Sequence, residues 1–478
     1  MTDTKGEAAK DEGEASQFFQ AYEQSKDKPC YVYDVNVKGN ARTKRYLIDR
    51  ELEGARNAES LSEILDALLV ASSQLSGLDV FKKCDLFIDV GPANRPEAVN
   101  IDVTVEEQSP YSLDAGTYVQ GGEASVEGSV GLKNVLGHAE RLEAAAAIGN
   151  ERSNTYHLSL TQPRFRGTES VAELGIAQAI RSFQKHSSVT EKSRGLQASV
   201  SNGGHSFAYE LAWRELGDLH KRASKTIRRQ AGHAVKSALM HTYRLDARDN
   251  VGRPREGHFV KSQVELAGVG ADSRLLRYIR SEVTVQKIFS LPLRDTALCL
   301  TGRCGLVVPW GKADEGPPIT VADRFFAGGV GSLRGFKNKG LGPQDRRMST
   351  THEEEAEQQS GGADGAGEED DGWSSKTDVL GGDVVATGAA QLTFGLPNRV
   401  LNVLGVYGHL FANVGTVATL EECLGVRSFA GTLRASCGIG MVIPTPFGQA
   451  EINYCQVLRA KDDDKVKRGV QVGLAMLI

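Results

Sequence analysis

One segment of the sequence combines residue types that solvated loops rarely contain together. Between Arg324 and Phe336 it holds aromatic residues, four glycines and a second arginine, Arg334. Glycine lets a backbone turn tightly and approach a wall closely, whereas a buried guanidinium needs a hydrogen-bond acceptor. We therefore predict that this loop folds back against the inside of a larger structure, with Arg334 bonded to a polar strand residue. A phosphate-binding loop is excluded, because neither a Lys-Ser pair nor a βαβ unit accompanies it.

Other chemistry has little support. The sequence contains no HExxH, CxxC or GxxxxGK[ST] motif, so we predict no catalytic residues, no metal, no cofactor and no enzymatic activity. Its seven cysteines are odd in number and scattered, which favours free thiols in a protein made in the cytosol. Cys299 and Cys304 should lie on opposite faces of one strand and so not share a metal. A net charge of −5 without a recognition motif argues against nucleic-acid binding.

The composition restricts the fold class. The chain has 478 residues, 40% of them hydrophobic and 53 of them glycine; this glycine content favours many turns or strands over helices. No stretch approaches the roughly 18 apolar residues of a spanning helix. The N-terminus lacks the apolar region of a secretory signal, so Sec export is not expected. A transmembrane β-barrel stays compatible, because its strands alternate apolar and polar residues.

Periodicity divides the chain into three parts. Residues 1–28 are polar and predicted to be a disordered tail. Residues 29–108 predict a small α+β domain of order β-α-α-β-β, whose second helix starts at the capping residue Ser60. In residues 109–478 helical periodicity disappears, and sixteen segments of roughly 9–15 residues alternate apolar and polar positions. The sequence predicts a mainly β protein: a sixteen-stranded antiparallel transmembrane β-barrel behind the small domain. A large soluble β protein is the alternative.

One connection between predicted strands is unusually long, covering residues 309–381. After the Arg334 segment it contains an acidic, glycine-rich insertion at about 344–378, which we predict to be solvated and disordered. A docking site for basic segments is the other interpretation of that insertion. In a different loop, the basic residues from Lys221 to Arg229 indicate either a solvated surface or contact with anionic lipid or a partner.

Two of these features resemble one known family. Leu333-Arg334-Gly335-Phe336 resembles the (V/I/L)RG(F/Y) loop motif of the BamA-type outer-membrane β-barrel assembly superfamily, and residues 29–108 are similar to a single POTRA domain. A second family motif, which contacts the loop from a strand, matches four residues here, with asparagine where the family has aspartate. The resemblance therefore implies a neutral hydrogen bond at Asn413 in place of an arginine–carboxylate contact, and it leaves open whether another acid pairs with Arg334. The four residues are Tyr407, Phe411, Asn413 and Gly415.

The last predicted strand adds a third likeness. It fits the polar-x-Gly-x-x-apolar-x-apolar β-signal of mitochondrial barrel proteins, and a further glycine thins it. With one POTRA domain and sixteen strands, the chain looks most like the core subunit of the mitochondrial sorting and assembly machinery. Plastid relatives typically carry several POTRA domains, and bacterial ones carry a signal peptide. The terminal-strand residues are Lys467, Gly469, Val472, Gly473 and Leu474.

The resemblance implies a function without bond-making chemistry. It implies an insertase that folds and inserts β-barrel precursors into the mitochondrial outer membrane, by strand pairing at a seam between residues 111–119 and 468–478. The POTRA domain would face the intermembrane space, and the partners would be precursors, metaxin-like accessory subunits and membrane lipid. The alternatives are a polypeptide translocation channel of the same superfamily in a plastid outer envelope and a soluble β-rich scaffold.

Overall fold

The computed structural model describes residues 28–120, 123–149, 152–270, 275–293, 295–311, 318–348, 376–398, 401, 403–445 and 448–475. The predicted disordered tail lies outside these ranges except for Lys28. Contacts within the chain divide it into two compact units. The first contains Met1–Ser112, Val130–Leu142 and Leu160–Arg166; the second contains Leu113–Ser129, Glu143–Ser159 and Gly167–Ile478.

The first unit contains a three-stranded sheet covered by helices. The sheet order is β1-β3-β2, with β1 parallel and β2 antiparallel to the central strand. A third helix starts at Ser60, whose hydroxyl accepts a hydrogen bond from the Glu63 amide over 3.3 Å. The apolar positions of helices and strands form one buried core, in which Ile48, Ile64 and Ile101 have no exposed surface. The elements are β1 (Tyr31–Lys38), α1 (Arg45–Glu51), α2 (Glu53–Arg56), α3 (Leu61–Gly77), β2 (Phe81–Val90) and β3 (Ala98–Glu107).

A buried carboxylate fixes the turn before α1. Glu107 accepts hydrogen bonds from the Thr43 amide at 2.7 Å and from the Arg42 amide at 3.0 Å. Burial raises the pKa of Glu107, but the hydrogen bonds from Thr43 and Arg42 outweigh burial, and the pKa lies below its ordinary value. A lowered pKa in the folded state means that the contribution to stability is complete at neutral pH and is lost as the pH falls through the lowered value.

We expect Glu107→Gln to loosen this turn at neutral pH, because an uncharged amide is a weaker acceptor for several donors. Hydrogen–deuterium exchange of the peptide containing Arg42 and Thr43, corrected for intrinsic rates, should be several-fold faster in the variant. Glu106→Gln is the matched control, since the Glu106 side chain is 56% exposed in its ion pair with Lys82. Equal exchange in the two variants would contradict the role assigned to Glu107.

The second sheet is antiparallel and has sixteen strands, in the order β21-β20-β19-β18-β17-β14-β13-β12-β11-β10-β9-β8-β7-β6-β5-β4. Strands adjacent in the chain are neighbours, except that β14 pairs with β17 across the long connection. The strands are β4 (Tyr111–Gln120), β5 (Glu123–Lys133), β6 (Arg141–Gly149), β7 (Asn154–Gln162), β8 (Val171–Ser182), β9 (Thr190–Asn202), β10 (His205–Gly217), β11 (Gly232–Asp246), β12 (Gly257–Ala267), β13 (Tyr278–Ser290), β14 (Ala297–Pro309), β17 (Val384–Gly395), β18 (Tyr407–Ala418), β19 (Arg434–Thr445), β20 (Gly448–Arg459) and β21 (Gly469–Ala475).

The two faces of this sheet differ in character. In β10, Phe207, Leu211 and Trp213 on one face are 61%, 41% and 39% exposed, whereas Ala212 and Arg214 on the opposite face are buried. We call the buried face, which contacts the long connection, the inner face. An exposed apolar face opposite a polar, buried one is the pattern expected of strands in a membrane. The predicted alternation is therefore present in three dimensions.

In the described part of the second unit, the named helices are short and lie in connections between strands. They are α4 (Gln184–Ser187), α5 (Lys225–Gln230), α6 (Leu420–Cys423) and α7 (Val426–Thr432). Within the described ranges, no helix combines the length and the apolar character needed to cross a membrane. All seven cysteines are free thiols, with Cys299 buried and Cys304 exposed, as the sequence predicted.

The base of the predicted acidic insertion is ordered. β15 (Gln344–Arg346) pairs with β16 (Thr377–Val379). Beside them, Arg347 Nε donates to Asp378 Oδ1 at 2.7 Å, with side chains 2% and 0% exposed. The two ends of the segment 344–378, which we predicted to be solvated and disordered, are therefore ordered and joined by a buried ion pair. Composition alone does not reveal this pair. Residues 349–375 lie outside the described ranges.

Candidate functional site

The segment around Arg334 lies against the inner face of the sheet. Leu333 and Phe336 have no exposed surface and Phe325 is 1% exposed. They form a single apolar cluster with strand residues, so that the loop is fixed by burial of hydrophobic surface as well as by hydrogen bonds. The strand members of the cluster include Val385, Val417 and Val457.

Arg334 has a carboxylate partner. Its Nε and Nη2 donate to Glu451 Oε2 and Oε1 over 2.8 and 2.9 Å, a bidentate pair whose side chains are 8% and 4% exposed. Asn453 Nδ2 also donates to Glu451 Oε2 at 2.8 Å, and the guanidinium carbon lies 5.0 Å from the centre of the Phe411 ring. The arginine is thus paired, hydrogen-bonded and stacked, which offsets the cost of burying its charge.

Asn413 has a different role from the one implied by the resemblance. With the amide oriented to satisfy both neighbours, its oxygen accepts from the backbone amide of Arg334 at 3.1 Å and its nitrogen donates to the Ala412 carbonyl at 3.3 Å. Asn413 therefore bonds to the backbone of the arginine, and the carboxylate is supplied by Glu451 on β20. The neutral contact expected for the Arg334 guanidinium is therefore made by its backbone amide instead, and the acid partner that the resemblance left open is Glu451.

The other three residues of the strand motif each contact a different residue. Phe411 lies under the Arg334 guanidinium. A side chain at Gly415 would place its Cβ 2.6 Å from Leu333 Cδ1, so that only glycine leaves room for the loop. Tyr407, which is 4% exposed, lies instead under Arg253, 5.0 Å from its guanidinium carbon.

The terminal-strand residues are distributed over both faces. The Lys467 amide donates to the Gly335 carbonyl at 2.8 Å, while its side chain is exposed. Val472 is 64% exposed. A Cβ on Gly473 would lie 2.7 Å from Val330 Cγ2, so this glycine makes room for the loop; Gly469 has a φ of +84°. Leu474 pairs with Ala450 through its backbone, and its side chain lies outside the described atoms.

A second buried ionic cluster anchors the start of the loop. Arg214 Nη1 donates to Asp323 Oδ1 at 2.6 Å, and its Nε donates to Glu191 at 2.5 Å. The Tyr278 hydroxyl lies 2.9 Å from Asp323 and 2.8 Å from Glu265. Residues from two strands, Arg214 and Tyr278, thus bond one aspartate of the connection, and Glu191 and Glu265 on two further strands bond those two residues. The sequence analysis missed this cluster, although its wall residues occupy inward positions of the predicted strands.

The turn between β11 and β12 also crosses the inner face. Arg253 Nη2 donates to Asp295 Oδ2 at 2.9 Å, and Gln449 Nε2 donates to the Gly252 carbonyl. Gly252 lies five residues before β12, and β12 and β20 are six strands apart, about 29 Å in a flat sheet. The bond from Gln449 in β20 to Gly252 therefore shows that this part of the sheet curves.

Between this turn and the tip of the loop lies a cavity of about 420 Å³. Its lining is rich in charged groups. Within the described ranges, no group of three or more His, Cys, Asp or Glu side chains has a metal-binding arrangement. The charged lining residues are Arg248, Arg253, Lys261, Glu282, Arg303, Arg334 and Glu451.

We expect Gly335→Ala to destabilise the folded protein. Gly335 has a φ of +87°, and a Cβ there would lie 3.0 Å from Val457 Cγ2 and 3.3 Å from Ser436 Cβ. The left-handed conformation alone costs an alanine roughly 1–2 kcal/mol. Gly331→Ala in the same loop is the control, since a Cβ there has no atom within 4 Å among those described. On heat-modifiability gels, Gly335→Ala should lose its folded band at a lower temperature and Gly331→Ala should not.

The profile of the Omp85 superfamily domain matches residues 134–475, more than two thirds of the chain. The chain belongs to the Omp85 superfamily. The match contains every residue of the Arg334 loop and of the two strands that hold it. In this Omp85 member, Glu451 provides the carboxylate that pairs with the loop arginine, Arg334.

Two relatives align with nearly the whole length of this chain. A sorting and assembly machinery component 50 homolog of Homo sapiens is 28% identical, over 96% of this chain and 94% of that protein. A SAM50-like protein of Schizosaccharomyces pombe is 26% identical, over 93% and 90%. Among solved structures, BamA from Haemophilus ducreyi lacking POTRA domains 1–3 has a TM-score of 0.71 at 18% identity, covering 93% of this chain and 84% of that one. That likeness shows a BamA-like fold.

Glu451, the acid partner of Arg334, is a site residue that sequence reasoning missed. It lies on β20, where Asn453, Cys455 and Val457 are buried at every second position while Ile452 and Tyr454 are exposed. A charged residue at an inward position of a strand was the available signal, because such a residue needs a partner. The motif directed attention to β18, which supplies the stacking ring and the space instead.

Proposed function

We propose that this protein inserts β-barrel precursors into the mitochondrial outer membrane as the core of a sorting and assembly complex, without covalent chemistry. The proposal is supported chiefly by similarity to sorting and assembly machinery component 50 homologs over 96% of the chain. The exposed apolar face of the sheet agrees with a place in a lipid bilayer. We further propose that the POTRA-like domain faces the intermembrane space and that metaxin-like subunits are among the partners.

The order of the sheet supports a place for the reaction. β4 and β21 stand at the two ends of the sixteen-strand order, so each has an edge that another strand can use. Unpaired backbone groups are not tolerated in hydrocarbon, so an incoming strand needs an edge that already offers partners. We propose that a precursor strand pairs with these edges, and that burial of the apolar face of the new barrel supplies the free energy.

Site-specific crosslinking tests this proposal. Single cysteines replace Leu113 in β4, which is 81% exposed, or Val470 in β21, which is 62% exposed. A precursor carrying a cysteine in its terminal strand should crosslink to both positions during import into mitochondria. Leu211→Cys, on the exposed face of β10, is the control and should give no crosslink. Absence of crosslinks at 113 and 470 while the precursor still assembles would contradict strand pairing at these edges.

The same experiment tests the alternative of a translocation channel. A channel substrate would pass along the inner face, where Lys261 and Arg303 line the cavity. Crosslinks confined to cysteines at these two positions would favour the channel. The insertase is favoured by one structural observation: the loop and the β11–β12 turn both occupy the inner face.

A further inference from the structure

The tip of the loop is bonded to the last strand of the sheet. Gln471 in β21 is 4% exposed. Its Oε1 accepts from the Gly335 amide at 2.9 Å, and its Nε2 donates to the Phe336 carbonyl at 3.0 Å. One side-chain amide therefore satisfies two buried backbone groups of the loop motif, a contact that the sequence analysis did not include.

The segment leading into β21 pairs with the same part of the loop. The Lys467 amide donates to the Gly335 carbonyl at 2.8 Å, and the Lys337 amide donates to the Lys465 carbonyl at 2.8 Å. Phe336 and Val466 form an antiparallel bridge. The loop motif thus behaves as a short extra strand beside residues 465–467.

A third contact lies farther along β21. Val330, at the tip of the loop, occupies the space over Gly473, where a Cβ would lie 2.7 Å from Val330 Cγ2. Residues 471 and 473 point to the loop, while Val470 and Val472 are 62% and 64% exposed. The loop therefore contacts β21 from the inner face, while one backbone edge of β21 pairs with β20 and the strand stands at the end of the sheet order.

This arrangement addresses a problem of the terminal strand. Among the described residues, β21 pairs with β20 over seven residues, Gly469–Ala475, and it stands at an end of the sheet order. A shift of one residue would turn its apolar side chains inward, but a shift of two keeps each side chain on its face. Pairing and burial alone therefore discriminate weakly against a two-residue slip.

We propose that the loop tip holds the register of β21, with Gln471 as the principal positioning residue and the Val330–Gly473 contact as a second support. The side-chain amide of Gln471 bonds the Gly335 amide and the Phe336 carbonyl, and a two-residue slip would put Gly469 or Gly473, which have no side chain, in its place. The inference rests on the proposed function and deepens it. A strand that offers an edge to precursors has to keep its register while that edge is free.

The register can be measured without any precursor. Ile452 lies opposite Val472, and Tyr454 lies opposite Val470, all on the exposed face. The pair Ile452→Cys and Val472→Cys reports the native register after oxidation. The pair Tyr454→Cys and Val472→Cys reports a two-residue slip, because diagonal partners lie too far apart for a disulfide. Tryptic peptide mapping separates these products from any involving the native cysteines.

With the native loop we expect the first pair to oxidise and the second to remain reduced. Gln471→Leu removes two hydrogen bonds and should raise the yield of the slipped disulfide relative to the native one by about tenfold. Val330→Ala, a mild truncation, should raise it less. Gln456→Leu is the matched control, because Gln456 is exposed in the neighbouring strand, and it should leave the slipped pair reduced.

The outcomes separate the two proposals. If Gln471→Leu and Val330→Ala both form only the native disulfide, the proposal that the loop tip holds the register of β21 is overturned. That conclusion does not depend on whether the protein inserts precursors. If Gln471→Leu does not fold on heat-modifiability gels, Val330→Ala alone decides the matter. Failure of the wild-type chain to crosslink precursors at positions 113 and 470 would contradict the proposed function and leave the register result standing.

Discussion

Arg334→Ala is expected to lose most of the folded, assembled protein. The substitution leaves the Glu451 carboxylate, 4% exposed, with Asn453 as its remaining neighbour in the pair described. Removing one partner of a buried ion pair typically costs about 3–5 kcal/mol, a large part of the stability of an ordinary domain. The stacking of the guanidinium on Phe411 is lost as well. The measurement is the fraction of chain with a folded band on heat-modifiability gels after import into mitochondria.

Two further variants make this result specific. Arg346→Ala removes an exposed arginine of the same connection and should resemble the wild type. The double variant Arg334→Met, Glu451→Met removes both charges, and it should recover part of the loss because replacing a whole buried ion pair by apolar groups is far less costly than breaking it. Equal, mild effects of Arg334→Ala and Arg346→Ala would refute the central role of the loop arginine.

The second large effect is expected for Asp323→Ala at the start of the loop. Asp323 accepts from Arg214 at 2.6 Å, from the Tyr278 hydroxyl at 2.9 Å and from the Thr320 hydroxyl at 2.7 Å. Arg214 keeps Glu191, so the loss should be smaller than for an unpaired arginine, about 3 kcal/mol. We expect a marked fall in the temperature at which the folded band disappears.

The control for this prediction is Asp463→Ala. Asp463 is exposed, and the hydrogen bond described for it uses its backbone carbonyl. It should leave the melting of the folded band unchanged. Asp323→Asn should fall between the two, because an amide keeps one acceptor while losing the charge. A wild-type melting temperature for Asp323→Ala would mean that Arg214 and Tyr278 do not depend on the loop.

Much of the fold follows from local pattern in the sequence. Period-2 alternation in strands such as β10 predicts both the strands and the face that each residue occupies, because successive side chains point to opposite sides. The same reasoning predicts the helix that starts at Ser60, since capping is a local interaction. The break between α1 and α2 was not predicted.

The contacts of the site depend on partners that lie far apart in the sequence. Arg334 and Glu451 are 117 positions apart, and Gly335 and Gln471 are 136 apart. A buried arginine requires a hydrogen-bond acceptor, but an inward-facing carboxylate on any strand would satisfy that requirement. Which one is used depends on strand order and register, and these are properties of the whole sheet. The resemblance pointed to β18, which supplies the stacking ring of Phe411, and left open the acid partner, which lies on β20.

The turn between β11 and β12 bears on what else can cross the bilayer here. Arg253 bonds it to Asp295, just before β14, and Gln449 bonds it to β20, and a cavity of about 420 Å³ separates it from the loop. A cavity of that size admits small solutes but not a folded protein. If substrates are released at the edges of the sheet as proposed, that release would proceed beside an inner face on which the turn and the loop leave room for small solutes.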